Sequence, residues 1–504
     1  MSSKERPPAE RELALAGALA LSPSLEKYPL AIRPHYGHFI AGKWIEGADE
    51  GRFQTINPAD EKPLASIAAA TAAEVDAAVA AARSAYDQVW SKLSGLERGK
   101  YLFRIARRLQ ERAREFAVLE SMDNGKPIRE TRDVDVPLAA AHFFYYAGWA
   151  DKLGHATGGL QRGRAVGPLG VAGQVIPWNF PLLMLAWKIA PALAAGNTVV
   201  LKPAETTPLT AALFCDVLQE ADLRPGVVNI VNGAGATGAA LVAHPDIDKV
   251  AFTGSTEVGR IIMRAIAGSN KKATMELGGK GANIVYADAA LDQAVEGCID
   301  GIFFNQGHVC CAGSRLLVEE SIAEDFVARL QRRVKTLRIG DPLDKNTDIG
   351  AINSKEQHGT IDRYLDIAVR EGATMWQGAA CDVPQTGYYH LPTILTGVQQ
   401  TDTVVREEIF GPVLSVLTFR TPDEAIRKAN DTEYGLACGV WSEKTAKLFR
   451  TAHALNCGVV WANGYNLFDP ASPFGGVRHS GFGREGGVAG LWPYLKEIQE
   501  EVSP

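Results

Sequence analysis

Between residues 169 and 286, short apolar stretches alternate with stretches of helical periodicity, and this alternation restricts the fold more than any other feature of the chain. Strands and helices that follow one another through short loops predict a parallel sheet with crossover helices. Ligands of such sheets bind beyond the carboxyl ends of the strands, so we expect the functional residues there. The predicted strands are residues 171–176, 198–201, 227–231, 249–253 and 273–277, and the predicted helices are residues 182–194, 209–221, 236–244 and 257–267.

A second α/β stretch follows from residue 284 to about residue 466, so the fold class is predicted to be α/β throughout. Near the N-terminus, a capping box of Thr71 and Glu74 predicts the start of a helix, and a second helix is predicted at residues 101–120. A chain of 504 residues is too long for one ordinary core, and its length indicates roughly two to four domains.

The amino-acid composition argues against two classes of protein, those that bind nucleic acid and those that span a membrane. The chain is 46% hydrophobic and 22% charged, and its net charge is −6 with both signs well mixed. A nucleic-acid-binding surface would need a concentrated basic face, which this sequence lacks. The longest apolar run, residues 182–195, is interrupted by Lys188 and Pro191, so we expect no membrane span.

Residues 1–35 are interpreted as an N-terminal extension with a short helix in the apolar run 13–21. Acidic residues before that run (Glu5, Glu10 and Glu12) argue against a secretory signal. The seven cysteines are odd in number, widely scattered and without a Cys-x-x-Cys pair. This pattern favours a reducing compartment, by default the cytoplasm, and neither a disulfide framework nor a metal site.

The segment 305–315 places Cys310 and Cys311 in a glycine-flanked, amide-rich loop directly after an apolar run. A nucleophile requires such access, a close backbone and nearby hydrogen-bond donors, whereas a core cysteine does not. Upstream, Glu276 stands between an apolar strand and a glycine turn. A thiol and a carboxylate are the groups needed for covalent catalysis followed by hydrolysis, so the chain is predicted to be an enzyme.

Two glycine loops each join a strand to a helix. Residues 233–238 match Gly-x-Gly-x-x-Gly, but no acidic residue stands at the expected distance, and we interpret the match as structural. Residues 252–259 are the better phosphate loop, because Gly254, Ser255 and Thr256 offer a close backbone, hydroxyls and a helix N-terminus. At another strand end, Lys202 and Glu205 could hydrogen-bond the ribose of an adenine nucleotide.

Taken together, these motifs resemble the aldehyde dehydrogenase superfamily, in order and spacing, over roughly residues 36–490. Seven motifs carry the resemblance: residues 177–181 (PWNFP), 202–205 (KPAE), 252–259 (FTGSTEVG), 276–280 (ELGGK), 305–315, 407–413 (EEIFGPV) and 473–476 (PFGG). The resemblance implies a Rossmann-like cofactor domain at 36–147 and 166–277, an α/β catalytic domain at 278–480, and a small oligomerisation element at 148–165 and 481–504. It also implies a homodimer or homotetramer.

By the same resemblance, NAD is the expected cofactor. Glu205 and Lys202 are expected to hold the adenosine ribose and Glu408 the nicotinamide ribose, with Phe410 near the ring. A carboxylate at the adenosine ribose would repel a 2′-phosphate, so NAD is favoured over NADP. The remaining cofactor-binding residues implied by the resemblance are Ile176, Trp178, Gly254 and Ser255.

The implied chemistry is oxidation of an aldehyde to a carboxylic acid. Cys310 attacks as the thiolate, after a lowering of its pKa that we expect from nearby dipoles. The side-chain amide of Asn179 and the backbone N–H of Cys310 stabilise the oxyanion, and Glu276 activates the water that hydrolyses the thioester. The residues that correspond to the aldehyde tunnel are Phe180, Leu183, Trp187, Phe468 and Phe474.

Two alternatives stay open. A coenzyme A-acylating member would use an external thiol in place of hydrolysis, and Glu276 argues against it. A catalytically idle member with a structural or binding role is disfavoured by Cys310, Asn179 and Glu276. One departure from the family pattern bears on the idle alternative: His308 replaces the usual Gln or Glu and either tunes Cys310 or fills loop space. A second departure, Pro493, stands where many relatives run an intersubunit strand, and it bears on the oligomeric arrangement and not on the chemistry.

Overall fold

The computed structural model describes residues 22–47, 51–156 and 164–499. The short helix predicted within residues 13–21 lies outside the described residues. From residue 22 the N-terminal segment contacts the loop that contains Leu343, where the Glu26 backbone N–H donates to the Leu343 carbonyl at 2.7 Å. The Glu26 carboxylate forms ion pairs with Arg114 and Lys345.

The strands of the described residues are numbered in chain order. They are β1 His35–Tyr36, β2 His38–Ile40, β3 Lys43–Ile45, β4 Phe53–Ile56, β5 Pro63–Ile67, β6 Arg164–Pro168, β7 Val171–Val175, β8 Thr198–Lys202, β9 Val228–Ile230, β10 Lys249–Thr253, β11 Lys272–Glu276, β12 Ala282–Val285, β13 Arg315–Glu319, β14 Thr374–Gln377, β15 Thr393–Thr396, β16 Val413–Phe419, β17 Ala437–Trp441, β18 Val459–Ala462, β19 Gly481–Phe482 and β20 Leu495–Gln499.

The α-helices are numbered in the same way. They are α1 Ala72–Gln88, α2 Gly95–Glu111, α3 Ala113–Asn124, α4 Ile128–Glu130, α5 Val136–Ala147, α6 Leu153–Ala156, α7 Pro181–Ala195, α8 Leu209–Glu220, α9 Gly235–Ala243, α10 Thr256–Ile266, α11 Leu291–Phe303, α12 Ala323–Val334, α13 Lys355–Arg370, α14 Thr403–Arg406, α15 Pro422–Asn430 and α16 Thr445–Ala454. A π-helical turn, Thr131–Asp135, joins α4 to α5.

Two large sheets organise the chain. The first has the order β19-β11-β10-β7-β8-β9-β2-β3, and its five central strands are parallel. From β7 the chain winds outward through β8 and β9, and it then returns to the other side of β7 as β10 and β11. A crevice therefore opens where the winding direction reverses, at the carboxyl ends of β7 and β10, and such a switch point is where doubly wound sheets bind ligands.

The second sheet has the order β14-β15-β16-β13-β12-β17-β18, and all its pairs are parallel except β14 with β15. Residues 277–281 carry the chain from β11 of the first sheet into β12 of the second. At Gly279 this link has no room for a side chain, because a Cβ there would lie 2.3 Å from the Cys310 carbonyl oxygen. The close approach places the carboxyl end of β11 against the loop that carries Cys310.

The predicted strands and helices of the first sheet agree with the structure to within one residue at each end. Helix α7 is buried along all 15 residues, which explains a sequence that is apolar on every side. Across the described residues, no helix combines the length and apolarity that crossing a bilayer requires.

The helix predicted at residues 101–120 is wrong as a single element. The structure has two helices, α2 and α3, which meet at Arg112, whose backbone leaves the helical region (φ −102°, ψ 15°). No proline or glycine in the sequence marks this break. Arg112 instead forms ion pairs with Glu115 and with Glu220 of α8, so contacts made after folding accompany the bend.

Pro493 lies in a 3₁₀ turn that ends at Tyr494, directly before β20. Strand β20 pairs antiparallel with β6 along five residues, from Leu495 to Gln499. The proline therefore precedes the strand and leaves its backbone hydrogen bonds intact.

Candidate active site

One cavity of about 680 Å³ lies at the carboxyl ends of β7, β8, β10 and β11 and reaches the Cys310 loop. Every site residue predicted from the sequence lines it, which brings together positions up to 298 residues apart in the chain. These residues are Ile176, Trp178, Asn179, Phe180, Leu183, Trp187, Lys202, Glu205, Gly254, Ser255, Glu276, Cys310, Glu408, Phe410, Phe468 and Phe474.

The loop before Cys310 has an unusual backbone. Asn305, Gln306 and Gly307 all have positive φ values, of 48°, 53° and 77°. Non-glycine residues hold this conformation only where their surroundings impose it. The buried Gln306 side chain does so by donating to the Ala351 carbonyl at 3.1 Å and accepting from the Gly350 N–H at 3.3 Å.

Asn305 connects this loop to the segment that carries Asn179. Its side-chain amide donates to the Asn179 carbonyl at 2.8 Å and to the His308 carbonyl at 3.3 Å. The Asn179 amide in turn donates to the His308 carbonyl at 2.8 Å. Asn179 is 96% buried, and its Nδ2 group keeps a second N–H for another acceptor.

The Cys310 thiol does not show the lowered pKa that the sequence analysis expects. Hydrogen bonding with the Cys311 thiol and burial raise the pKa of Cys310 well above its ordinary value, and the Glu408 carboxylate adds to the rise. Both effects favour the protonated thiol over the thiolate.

Glu276 ends β11 and is almost fully buried, yet neither of its carboxylate oxygens has a hydrogen-bond partner among the described residues. Burial raises the pKa of Glu276 well above its usual range, and the carboxylate of Glu485 and the Cys310 thiol raise it further. A desolvated carboxylate with two open acceptor sites is suited to bind a water molecule and take its proton.

Lys188 and Glu485 are functional neighbours that the sequence reasoning missed. Lys188 is fully buried in α7 and pairs with Glu485, and its positive charge opposes the rise in the pKa of Glu276. A lone lysine inside an otherwise apolar helix was the available signal, because a buried ammonium group requires an anionic partner. Its partner, Glu485, lies 297 residues further along the chain, so no local sequence pattern indicates the pair.

At the other end of the cavity, Glu408 accepts a hydrogen bond from the Gly279 N–H at 2.9 Å, and burial raises its pKa to about 7. Phe410 has a φ of 58°, and Gln357 of α13 donates to the carbonyls of Ile409 and Phe410 at 3.0 and 2.8 Å. Gln357 also lines the cavity and was not identified from the sequence.

Both glycine loops reach the cavity. Ser255 caps α10 by accepting a hydrogen bond from the Val258 N–H at 3.2 Å, and the same residue lines the cavity. The loop at 233–238 was interpreted as structural only, but Gly235 and Gly238 also line the cavity wall. A Cβ on Gly238 would lie 3.6 Å from the Lys202 side chain, an ordinary van der Waals contact, so this loop approaches the Lys202 side chain closely without requiring glycine at 238.

The third part of the cavity is aromatic. Trp187 contacts Phe474 with ring centroids 5.4 Å apart and Phe468 at 6.4 Å, and Phe180 stacks on Phe304 at 6.1 Å. Phe304 is a wall residue that the sequence analysis did not assign. These edge-to-face and stacked pairs form a rigid apolar passage toward Cys310.

Comparison with known proteins identifies the family. A model of the aldehyde dehydrogenase family matches residues 44–498. An aldehyde dehydrogenase of Aspergillus niger is 45% identical over 467 residues, which cover 91% of this chain and 93% of that protein. The betaine aldehyde dehydrogenase of Bacillus subtilis is 42% identical over 478 residues, covering 92% and 97%. The chain belongs to the aldehyde dehydrogenase family.

Solved structures agree with this assignment. An aldehyde dehydrogenase from Bacillus cereus, determined as its NAD+ complex, superimposes with a TM-score of 0.90 at 40% identity, and the match covers 95% of this chain and all of that one. The family and the α/β fold class predicted from the sequence are confirmed, as is the prediction that the protein is an enzyme.

His308 is the departure from the family pattern closest to the nucleophile. Its ring lies between Trp178 (centroids 4.8 Å apart) and Phe410 (5.9 Å), and neither ring nitrogen has a hydrogen-bond partner among the described residues. Burial, with a smaller effect of Lys126, lowers its pKa to about 3. His308 is therefore a neutral packing group, which favours the second of the two interpretations left open above.

We expect His308→Gln to leave the pH profile of kcat/KM unchanged between about pH 5 and 9, because a group with a pKa of about 3 stays neutral over that range. Aldehyde oxidation followed at half-unit pH steps in both proteins would check this. A shifted limb in the variant would show that His308 tunes Cys310 electrostatically.

Proposed function

We propose that this protein oxidises an uncharged, apolar or aromatic aldehyde to its carboxylic acid with NAD as hydride acceptor. The observation that carries the proposal is the unpartnered carboxylate of Glu276 in the same cavity as Cys310 and Asn179. Nucleophile, amide donor and base thus share one space between an apolar passage and a cleft at the switch point of the first sheet.

The reaction begins at the Cys310 sulfur. The thiol proton passes to solvent through the cavity, and the thiolate forms a bond to the aldehyde carbon while the carbonyl π bond breaks and its oxygen becomes an oxyanion. The free N–H of Asn179 and the backbone N–H of Cys310 are the donors for this oxyanion, and one such donor contributes about 3–4 kcal/mol in comparable sites. Lys202, Glu205 and Glu408 would hold NAD, which would supply the hydride acceptor, and loss of hydride from this carbon would leave a thioester on Cys310.

Hydrolysis of the thioester is the task of Glu276. The carboxylate takes a proton from a water molecule whose oxygen attacks the thioester carbon, and the carbon–sulfur bond then breaks to release the acid. Because burial raises the pKa of Glu276, it is a stronger base than an exposed glutamate. A coenzyme A-acylating enzyme has no need of such a base, so this residue supports the hydrolytic reaction.

The cofactor end supports NAD. Lys202 and Glu205 form an ion pair at 3.6 Å in the cavity wall, and the Glu205 side chain is about half exposed (49%). A carboxylate at the adenosine ribose hydrogen-bonds two hydroxyls and repels a 2′-phosphate. The Bacillus cereus relative with a TM-score of 0.90 was solved with NAD+, which agrees with this choice.

We also infer a homo-oligomer in a reducing, cytoplasmic compartment. All seven cysteines are free, and exposed apolar side chains lie on β19 (Phe482), in the turn before β20 (Trp492) and on β20 (Ile498). Exposed apolar side chains favour association between copies. Light scattering should give the mass of a dimer or tetramer; a monomer at micromolar concentration would contradict this inference.

The first functional test is formation of reduced cofactor from NAD with a panel of aliphatic and aromatic aldehydes. We expect turnover in the native protein and none in Cys310→Ala, with Cys311→Ala as the matched control that keeps the nucleophile. A parallel assay with NADP should give slower turnover than the assay with NAD. Addition of coenzyme A to the NAD assay should give no stimulation. Turnover that survives in Cys310→Ala would show that the nucleophile is misassigned.

Glu276→Gln should separate the two half-reactions. Because the thioester can form but lacks its base, we expect one equivalent of NADH per active site in a rapid burst, followed by steady turnover reduced about 10²- to 10⁴-fold. Stopped-flow absorbance measures both phases. Steady turnover at the native rate, or a coenzyme A requirement in the native protein, would contradict hydrolysis by Glu276.

A further inference from the structure

Four ionisable side chains are buried together behind the active site, and the reaction described above uses none of them. We name Glu120, Lys126, Glu130 and Asp135 the buried acid–lysine cluster; none is more than 5% exposed. They come from the end of α3, the following loop, α4 and the π-helical turn. None of the four lines the cavity, although Val134 of the same π-helical turn does.

The cluster contacts the catalytic loop on one side. The Glu130 carboxylate accepts a hydrogen bond from the backbone N–H of Asn305 at 2.9 Å. Asn305 is the first residue of the loop with positive φ, and its side chain holds the carbonyls of Asn179 and His308. Glu130 is therefore two hydrogen bonds away from Asn179.

On the other side, the cluster contacts the start of α7. Glu120 accepts from the backbone N–H of Leu182 at 3.3 Å, and the Lys126 ammonium lies 3.7 Å from the ring centroid of Phe180. Phe180 and Leu182 follow Asn179 in the chain. The segment that carries Asn179 and the loop that carries Cys310 thus both contact the buried acid–lysine cluster.

The charges of the cluster are balanced internally. Lys126 pairs with Asp135, and burial together with the Asp135 carboxylate raises the pKa of Glu120 well above its usual range, which favours the neutral form of Glu120. Burial raises the pKa of Glu130 to about 8, and the Asn305 N–H opposes that rise. The cluster is held in place by the Lys126–Asp135 ion pair and by the backbone N–H groups of Leu182 and Asn305.

We propose that Glu130 is a positioning residue for the oxyanion site: through the Asn305 N–H it sets the relative position of Asn179 and Cys310. The inference rests on the function proposed above, in which Asn179 and the Cys310 N–H stabilise the oxyanion. Glu130 touches neither substrate nor cofactor. Its effect therefore belongs to the chemical step and not to cofactor binding.

We expect Glu130→Ala to lower kcat about 10- to 100-fold, the range seen when supporting hydrogen bonds of a site are removed, and to leave the Kd for NAD within about twofold. Glu130→Gln should restore most of the loss, because its amide oxygen can accept from the Asn305 N–H. If Glu130→Ala does not fold, Glu130→Asp carries the test, since it keeps the carboxyl group but falls one methylene short of Asn305.

Asp123→Ala is the matched control. Asp123 is equally buried at the end of α3 and accepts from the Leu209 N–H at 2.9 Å and from the Thr55 hydroxyl, but it has no contact with the Cys310 loop. We expect it to lower the melting temperature about as much as Glu130→Ala while kcat stays near the native value. An equal fall of kcat in both variants would overturn the proposal.

A double-mutant cycle with Asn179→Ala distinguishes the positioning role of Glu130 from the oxyanion-binding role of Asn179. If Glu130 acts through Asn179, then adding Glu130→Ala to Asn179→Ala should lower kcat little further. Fully multiplicative losses, or native kcat in Glu130→Ala beside an impaired Asn179→Ala, would overturn the positioning role alone. Native kcat in Asn179→Ala would overturn the proposed oxyanion site and this inference with it.

Discussion

The site depends on the hydrogen bonds of one buried asparagine. Asn305 joins the loop of Cys310, which precedes β13 of the second sheet, to the segment of Asn179, which follows β7 of the first sheet. Its backbone is left-handed, a conformation open to asparagine, and the next residue, Gln306, holds the same conformation only under constraint. If these bonds were lost, the loop would relax and the thiol and the amide would no longer face one space. Glu130 and the contacts of Gln306 with residues 350 and 351 supply the constraint.

A second feature of the site is that several of its carboxyl groups are buried. Glu276, Glu408 and Glu130 are all buried, and burial raises the pKa of each. Burying these groups costs folding free energy. Glu276 is the proposed base, Glu408 is expected at the nicotinamide ribose, and Glu130 is proposed to position the oxyanion site. Hydrogen bonding with the Cys311 thiol and burial also raise the pKa of Cys310.

Much of this could be predicted from the sequence, because the signals are local. Apolar spacing placed the strands and helices of the first sheet to within one residue, and the motifs around Cys310, Glu276 and Asn179 identified residues that the structure brings into one cavity. The errors arise from side-chain contacts made in the folded chain. The break at Arg112 and the approach of Gly238 to Lys202 involve residues that are distant in the chain, and the raised pKa of Cys310 comes from hydrogen bonding with the adjacent Cys311 thiol and from burial.

The sequence by itself determined the α/β class, the family and which side chains are proposed to react, since each depends on residue type and on spacing within a short segment. Only the tertiary structure decided their environments. The pair of Lys188 with Glu485, the contact of Gln357 with the Phe410 loop, the neutral state of His308 and the support of Asn305 by Glu130 arise where separate elements pack together. Burial and electrostatic fields are properties of that packing, so no local pattern encodes them.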